Sequence, residues 1–369
     1  MKYKTKSVTI ADLLDPMACW ILGAGASYDC DSSNELMLPL TCDMMPPDLV
    51  KERLSEELTR FIENGLLPGS TVQEALGHRI ENTIDCIRGL CFDQNPTVVE
   101  AATYCLETIV SVIADNLSLW QVVVAKGTGK GFGAENYLWL SSHVCSNPSL
   151  SLITLNYDEL LDTTFRIARH WDLANPIQYG AWENAVTAFI EKRVPLQEES
   201  GVFVKLHGTL RLYSCHNPCC SMYREPVEVR KPNELEIIGI VPGGEPHEKC
   251  INCAKSLHEL ILPPGHNKTQ GEGAYFDFVY SKATQALANA SVWIALGYSF
   301  PDYDLDMREL MSNALELRNT TSSDRHRMLI FDPNALAIGE RLTAAFGPLL
   351  EPVCIKETFS GLVKKITNS

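Results

Sequence analysis

The chain has 369 residues, of which 45% are hydrophobic, so it can bury a core for one large domain with insertions or for two domains. Its formal net charge of -15 and pI of about 5.1 disfavour direct binding of nucleic acid, which needs an excess of Lys and Arg. No apolar leader follows the N-terminal lysines, and 13 cysteines without a secretion signal predict reduced thiols in the cytoplasm.

A glycine turn comes first along the chain. The apolar run 20–22 ends in Gly23-Ala24-Gly25, and Ser27 opens a segment that can be helical. A strand, a tight turn and a helix start are typical of a phosphate-binding turn, because glycines let the backbone approach a diphosphate. Tyr28 stands where the dinucleotide-binding fingerprint has its third glycine, so an ordinary strand-to-helix turn explains this stretch alone equally well.

Residues 47–143 are predicted to form a mostly helical insertion. Apolar residues recur at helical spacing over 49–62 and again over 96–113. The second helix contains Glu107 and Asp115 and is too short to span a bilayer, so we expect a core helix and no membrane segment. The glycine-rich stretch 126–133 lacks the Ser or Thr of a phosphate loop, and we predict a flexible loop there.

Four further apolar runs end in polar residues or glycine. These ends are Asn156, Tyr157 and Asp158 after residues 152–155, His207 and Gly208 after 202–206, Gly297, Tyr298 and Ser299 after 292–296, and Asp332 after 328–331. Ligands of a doubly wound parallel sheet bind at the carboxyl ends of its strands, so the pattern predicts a Rossmann-like α/β fold with a nucleotide crevice. The alternative is that strands commonly end in polar loops. This accounts for any one of these polar ends, but it accounts poorly for polar residues at all of them.

Two groups of cysteines follow His207. Cys215, Cys219 and Cys220 form CxxxCC, and Cys250 and Cys253 form CxxC about thirty residues later. This spacing predicts a structural zinc ribbon, in which four thiolates leave no open position for catalysis. The predicted ligands are Cys215, Cys220, Cys250 and Cys253. Cys219 in place of Cys220, or a substitution by His216 or His247, stays open, and the other cysteines are interpreted as core residues.

In this order, the motifs resemble the sirtuin-like superfamily, in particular its bacterial stand-alone branch of NAD-consuming defence proteins. The resemblance covers the sheet-forming parts of the chain but not the helical insertion. It rests on the cysteine pairs and on GAGAS at 23–27, TLNYD at 154–158, KLHG at 205–208, LILPPGHNK at 260–268 and LGYSFPDYD at 296–304.

The resemblance implies a Rossmann-like NAD-binding core of residues 1–46 and 144–369, the helical insertion 47–143 and a zinc-ribbon insertion 211–256. In this family the glycine turn holds the diphosphate of NAD, and an Asn and a His flank the nicotinamide ribose. Asn156 and His207 match these two catalytic positions, with Asp158 beside them. The residues expected to bind NAD are Gly23, Ala24, Gly25, Ser27, Tyr157, Gly297, Tyr298, Ser299 and Asp332.

The three candidate catalytic side chains suit the loss of nicotinamide from NAD, which leaves as a neutral molecule and needs little acid assistance. Asn156 can hold a water or the ribose, and a neutral His207 can accept a proton from either. Asp158 can position the ribose or stabilise its positive charge. A turn residue at Asn156 and a core histidine at His207 are the structural alternatives.

Two departures from the protein-deacylating sirtuins bear on the substrate. Ala26 and Tyr157 each replace an isoleucine of those enzymes, and residues 35–45 differ from their proline-aspartate-phenylalanine-arginine loop. We therefore predict an NAD glycohydrolase that depletes NAD in anti-phage defence, by abortive infection, when it is activated within an oligomeric complex. The alternatives are an NAD-dependent protein deacylase and a non-catalytic sensor of NAD or ADP-ribose. The resemblance also implies a homo-oligomer, in some relatives joined by a HerA-like DNA-translocating ATPase.

Overall fold

The computed structural model describes residues 13, 15–29, 47–72, 74, 80–126, 135–147, 149–162, 164–165, 201–225, 249–263, 273–302, 304–319 and 325–367. Several sequence predictions lie outside these ranges. They concern the loop 127–133, the loop 35–45, His247, residues 264–268 of the LILPPGHNK motif and Tyr303.

The central sheet has six parallel strands in the order β3-β2-β1-β6-β7-β8. The predicted α/β fold with a parallel sheet is therefore confirmed. The order reverses between β1 and β6, which makes this pair the topological switch point of the sheet, where crevices of such folds form. The strands are β1 (Ala18–Leu22), β2 (Ser151–Thr154), β3 (Phe203–Lys205), β6 (Val292–Leu296), β7 (His326–Phe331) and β8 (Leu350–Ile355).

The first five of these strands are the five apolar runs predicted from the sequence. β1, β2, β3 and β6 are buried along their whole length, which is why their sequences read as continuous apolar runs rather than alternating ones. β8 was not predicted. It is an edge strand with half-buried positions and contains Pro352, which is tolerated at a sheet edge and weakens the strand signal.

The helices pack into two layers of core. The cluster around the sheet receives side chains from α5 (Glu135–Cys145) and from the four helices that follow it. A second cluster lies between α2, α3 and α4. The helices are α1 (Ala24–Tyr28), α2 (Pro47–Glu63), α3 (Ile80–Leu90), α4 (Pro96–Lys126), α5, α6 (Ala274–Asn289), α7 (Leu305–Asn319), α8 (Ala335–Phe346) and α9 (Phe359–Thr367).

The helical character predicted for residues 47–143 is present, but its last helix belongs to the other layer. Tyr137 and Leu140 of α5 pack in the cluster around the sheet, whereas Leu54 of α2, Ile84 of α3 and Ile109 of α4 pack together. The domain boundary at 143 stays a prediction.

Among the described residues, the segment Pro96–Leu117 of α4 is long and apolar enough to cross a bilayer, and half of its most apolar window is buried in the protein. The expectation that this helix is too short to span a bilayer was therefore wrong, because the helix continues to Lys126. It is the helix that the sequence predicts to be a core helix. Ala102, Leu106 and Ile109 of this segment lie in the second cluster, which agrees with that prediction.

The cysteine groups belong to an antiparallel hairpin of β4 (Gly208–Cys215) and β5 (Leu257–Ile261): Cys215 ends β4, and the other four cysteines lie in the connection to β5. Gly208 begins this hairpin with a φ of 88°, and a Cβ there would lie 1.9 Å from the carbonyl oxygen of Leu260. Only glycine fits this position, which lets the chain leave the sheet directly after His207.

Candidate active site

The residues that follow β1, β2, β6 and β7 lie side by side at the carboxyl edge of the sheet. Backbone hydrogen bonds join these strand ends: Gly23 N to Leu296 O at 3.0 Å, Leu155 N to Leu22 O at 3.0 Å, and Gly297 N to Phe331 O at 3.1 Å. The glycine turn after β1 therefore lies between the polar end of β2 and the polar end of β6, at the switch point.

The glycine turn packs against the turn after β6 at very short range. A Cβ at Gly23 would lie 2.6 Å from Gly297 O, and a Cβ at Gly25 would lie 2.9 Å from Gly297 Cα. Gly25 N donates to Gly297 O at 2.9 Å. The two glycines thus serve backbone packing, and their predicted role in holding a diphosphate, with that of Ala24, stays a prediction.

Asn156 faces the glycine turn. Its side chain is buried, and Nδ2 donates to Gly23 O at 2.9 Å and to Ser27 Oγ at 2.7 Å. Ser27 Oγ in turn donates to Asp158 Oδ2 at 2.8 Å. Three of the predicted site residues, which lie up to 131 positions apart in sequence, therefore form one hydrogen-bonded group.

Asp158 is a buried carboxyl group with opposing influences on its pKa. Burial raises the pKa above its usual value, whereas the positive charge of Lys205 and the hydrogen bond from Ser27 lower it. Lys205 is itself buried, and its Nζ donates to Asp162 Oδ2 at 2.9 Å and to the backbone oxygen of Asp158 at 2.5 Å. The lysine therefore fixes the segment that carries Asn156 and Asp158.

His207 lies one strand further along the sheet, after β3. It is buried, and its ring lies 6.1 Å from that of Tyr157, measured between centroids and tilted by 39°. Tyr157 donates its hydroxyl to Leu262 O at 2.7 Å, and Leu262 N donates to His207 O at 2.9 Å. The turn after β2 and the turn after β3 are thereby linked.

The remaining predicted ligand residues follow β6 and β7. Tyr298 is buried against Phe300, with ring centroids 4.2 Å apart, and its hydroxyl donates to Asp304. Ser299 is exposed, and its carbonyl oxygen accepts from Arg341. Asp332 accepts from Asn334 N at 2.7 Å and so shapes the start of α8. These contacts show structural roles, and their predicted part in binding NAD stays untested.

Two buried residues of this site were not singled out from the sequence. Tyr137 of α5 places its hydroxyl 2.7 Å from Ser27 Oγ, and Lys205 anchors the backbone after β2. Lys205 stands in the KLHG motif, two positions before the candidate histidine, so the sequence could have predicted that it lies at the site. Tyr137 lies 110 positions from Ser27 in an ordinary helical stretch, and no pattern in the sequence connects them.

The four predicted zinc ligands come together in space. The sulfur atoms of Cys215, Cys220, Cys250 and Cys253 all lie within 4.8 Å of one another. Two of the pairs are 3.5 and 3.6 Å apart, close to the edge of about 3.8 Å that a tetrahedron of Zn–S bonds requires.

The four sulfur atoms therefore fit a structural zinc ion. Their positions also distinguish Cys220 from Cys219, which the sequence did not. Cys220 belongs to the cluster and is buried, whereas Cys219 is exposed and lies outside it. His216 is not part of the cluster, and its ring nitrogen Nε2 lies 3.0 Å from the guanidinium of Arg224.

Comparison with known proteins finds no match to a family model and no match among curated proteins. Among solved structures, the chain is similar to Sir2 homologues. A histidine mutant in complex with ADP-ribose has a TM-score of 0.43 and 14% identity, covering 96% of this chain and 94% of that one. A Sir2 homologue in complex with NAD has a TM-score of 0.38 and 13% identity, covering 96% and 91%. These likenesses are distant, with identities of 14% and 13%.

Proposed function

We propose that the chain is an NAD glycohydrolase, which converts NAD and water into nicotinamide, ADP-ribose and a proton. The observation that supports this most is the group formed by Ser27, Asn156 and Asp158 at the switch point. An amide, a hydroxyl and a carboxyl group converge there beside a glycine turn, and the switch point is where α/β sheets bind nucleotides.

The reaction breaks the bond between the ribose C1′ and the nicotinamide nitrogen. The electron pair of that bond goes to the nitrogen, so nicotinamide leaves neutral and positive charge develops on the ribose. Asp158, when ionised, stabilises this charge, and Asn156 orients the ribose or the attacking water. The water oxygen bonds to C1′, and His207 accepts the proton that it loses.

The predicted departures at Ala26 and Tyr157 favour water over an acyl-lysine as the nucleophile. Tyr157 fills its position with a buried aromatic ring that is held by Leu262 and lies against His207. A phenol ring at this place reduces the space for a second, peptide substrate. This packing is the reason for preferring hydrolysis over deacylation.

The test is chromatography of NAD incubated with the purified protein. We expect release of nicotinamide and ADP-ribose without any peptide, and a loss of about a hundredfold or more for Asn156→Ala and for His207→Ala. Asn64→Ala, at an exposed helix end, is the control and should retain the wild-type rate.

Three outcomes would contradict the proposal. Full activity of the Asn156→Ala, His207→Ala double variant removes both residues from the reaction. Consumption of NAD that strictly requires an acylated peptide identifies a deacylase instead. Tight binding of ADP-ribose without turnover, in every assembly state, identifies a sensor.

We further propose the biological setting that the sequence resemblance implies. The protein acts in the cytoplasm as a homo-oligomer and depletes NAD during phage infection, and a HerA-like DNA-translocating ATPase supplies the contact with DNA. The net charge of -15 supports a separate DNA-binding partner, because an acidic chain repels phosphate. Loss of protection against phage in cells carrying His207→Ala is the expected result, and unchanged protection would contradict this setting.

A further inference from the structure

Tyr137 connects the helical part of the chain to the candidate catalytic residues. It is buried at the start of α5, and its hydroxyl lies 2.7 Å from Ser27 Oγ and 3.4 Å from Asn156 Nδ2. Its ring packs on Phe359 of α9, with centroids 5.8 Å apart. The phenol thus reaches the group of Ser27, Asn156 and Asp158 from an element outside the sheet.

The direction of each hydrogen bond follows from counting protons at Ser27. A serine hydroxyl donates one hydrogen bond and accepts two. Its proton goes to the carboxylate of Asp158, and one lone pair accepts from Asn156 Nδ2. The remaining lone pair must accept the proton of Tyr137. Tyr137 therefore supplies the last hydrogen bond that the Ser27 hydroxyl can accept. It also keeps that hydroxyl donating its own hydrogen bond to Asp158.

The position of Tyr137 is fixed by its neighbour in the same helix turn. Asn136 Nδ2 donates to the backbone oxygen of Asp29 at 2.7 Å and to Ser360 Oγ at 2.8 Å. Asp29 accepts from Ser360 N and Oγ in turn, at 2.7 and 2.8 Å. Helices α1, α5 and α9 are thus tied together at one point, directly beside Ser27.

We propose that Tyr137 is a positioning residue of the site, whose hydroxyl orients Ser27 and, through it, the Asn156 amide and the Asp158 carboxylate. This inference rests on the proposed function. It assigns the first turn of α5 a part in the reaction, although Tyr137 acts through Ser27 and not on the substrate.

The test is a double-mutant cycle of Tyr137→Phe and Ser27→Ala, with nicotinamide release and the affinity for ADP-ribose as readouts. Tyr137→Phe removes only the hydroxyl, and we expect kcat to fall about tenfold, in keeping with one buried hydrogen bond, while KM changes less than twofold. In the Ser27→Ala background, the same change should alter kcat less than twofold, because its partner is gone. Thr343→Val is the control, because it removes a hydroxyl of α8 that donates to Gly339 O at 2.7 Å and makes no contact with Ser27.

The outcomes separate this inference from the proposed function. Additive effects of the two substitutions, or an unchanged kcat in Tyr137→Phe, overturn the positioning role while the glycohydrolase stands. Without nicotinamide release by the wild type, the glycohydrolase fails, and the same cycle is read from the calorimetric affinity for ADP-ribose. Coupling there retains the positioning role, whereas absent binding or additive effects overturn it.

Discussion

Gly297 illustrates how a single residue position constrains the site. Its φ is 56°, and a Cβ there would lie 2.3 Å from the backbone nitrogen of Ala26, which follows the glycine turn. Both the left-handed conformation and the close approach exclude a side chain. The contact places the turn after β6 against the turn after β1, at the switch point of the sheet.

We predict that Gly297→Ala lowers the free energy of unfolding by about 3 kcal/mol or more, because left-handed strain and steric overlap with backbone add. Gly89→Ala is the matched control. Gly89 is an exposed helical residue with open space around its Cα, so the same change should be neutral or stabilise by up to about 1 kcal/mol. Urea denaturation followed by circular dichroism measures both, and equal effects would contradict the packing described here.

Glu107 is a titratable residue at the contact between α4 and β5. Burial raises its pKa to about 6, against the lowering effects of Lys255 and Arg224, and His258 Nε2 lies 3.6 Å from its carboxylate. The folded state therefore binds a proton more tightly than the unfolded state, whose pKa is 4.5. It follows that Glu107 lowers the stability as the pH rises from 4.5 to 6.

We predict that Glu107→Gln gains stability relative to the wild type as the pH rises through this window, by on the order of 1–2 kcal/mol. The difference between the two proteins removes the contribution of titrating groups that lie away from Glu107, because these groups are the same in both. Glu100→Gln, at an exposed position of the same helix, should leave the pH dependence unchanged. Denaturation at a series of pH values decides this, and a constant difference between Glu107→Gln and wild type would refute it.

The zinc ribbon is an element whose stability depends on a metal. Four thiolates that meet in the folded state are apart in the unfolded chain, so zinc binding is coupled to folding. We predict one zinc per chain, and we expect Cys220→Ser to reduce the zinc content and soluble yield strongly. Cys219→Ser changes the adjacent, exposed cysteine and should leave both unchanged. If elemental analysis detects no zinc in the freshly purified wild-type protein, the assignment of a zinc site is wrong.

At the level of elements, the sequence predicts what depends on local pattern. Five strands and the cysteine cluster were predictable, because buried parallel strands are continuous apolar runs and the cysteine spacing is specific. The choice of Cys220 over Cys219 was not, since it depends on which sulfur points inward. Tyr137 and the packing of Gly23 on Gly297 also escaped prediction, because they depend on contacts between distant segments.

On the scale of the whole molecule, the hydrophobic cluster of α2, α3 and α4 reaches the candidate site through Tyr157. The side chain of Tyr157, which lies against His207, belongs to the hydrophobic cluster of α2, α3 and α4, together with Leu210 and Ile261. Tyr137 reaches the same region from α5. These contacts link the packing of the helices to residues beside Asn156 and His207.

This arrangement supports the expected control of activity by assembly, and it leads to a prediction about the oligomer. Phe92 and Tyr104 of the helical segment are 58% and 47% exposed and offer aromatic surface for such a contact. We expect a homo-oligomer that forms through this segment, and Phe92→Glu with Tyr104→Glu should lower its mass and its NAD turnover together. Leu336→Glu, at an equally exposed position of α8, should change neither. Light scattering coupled to chromatography measures the mass, and a wild-type monomer at micromolar concentration with full activity and no partner would contradict both the assembly and its control of the site.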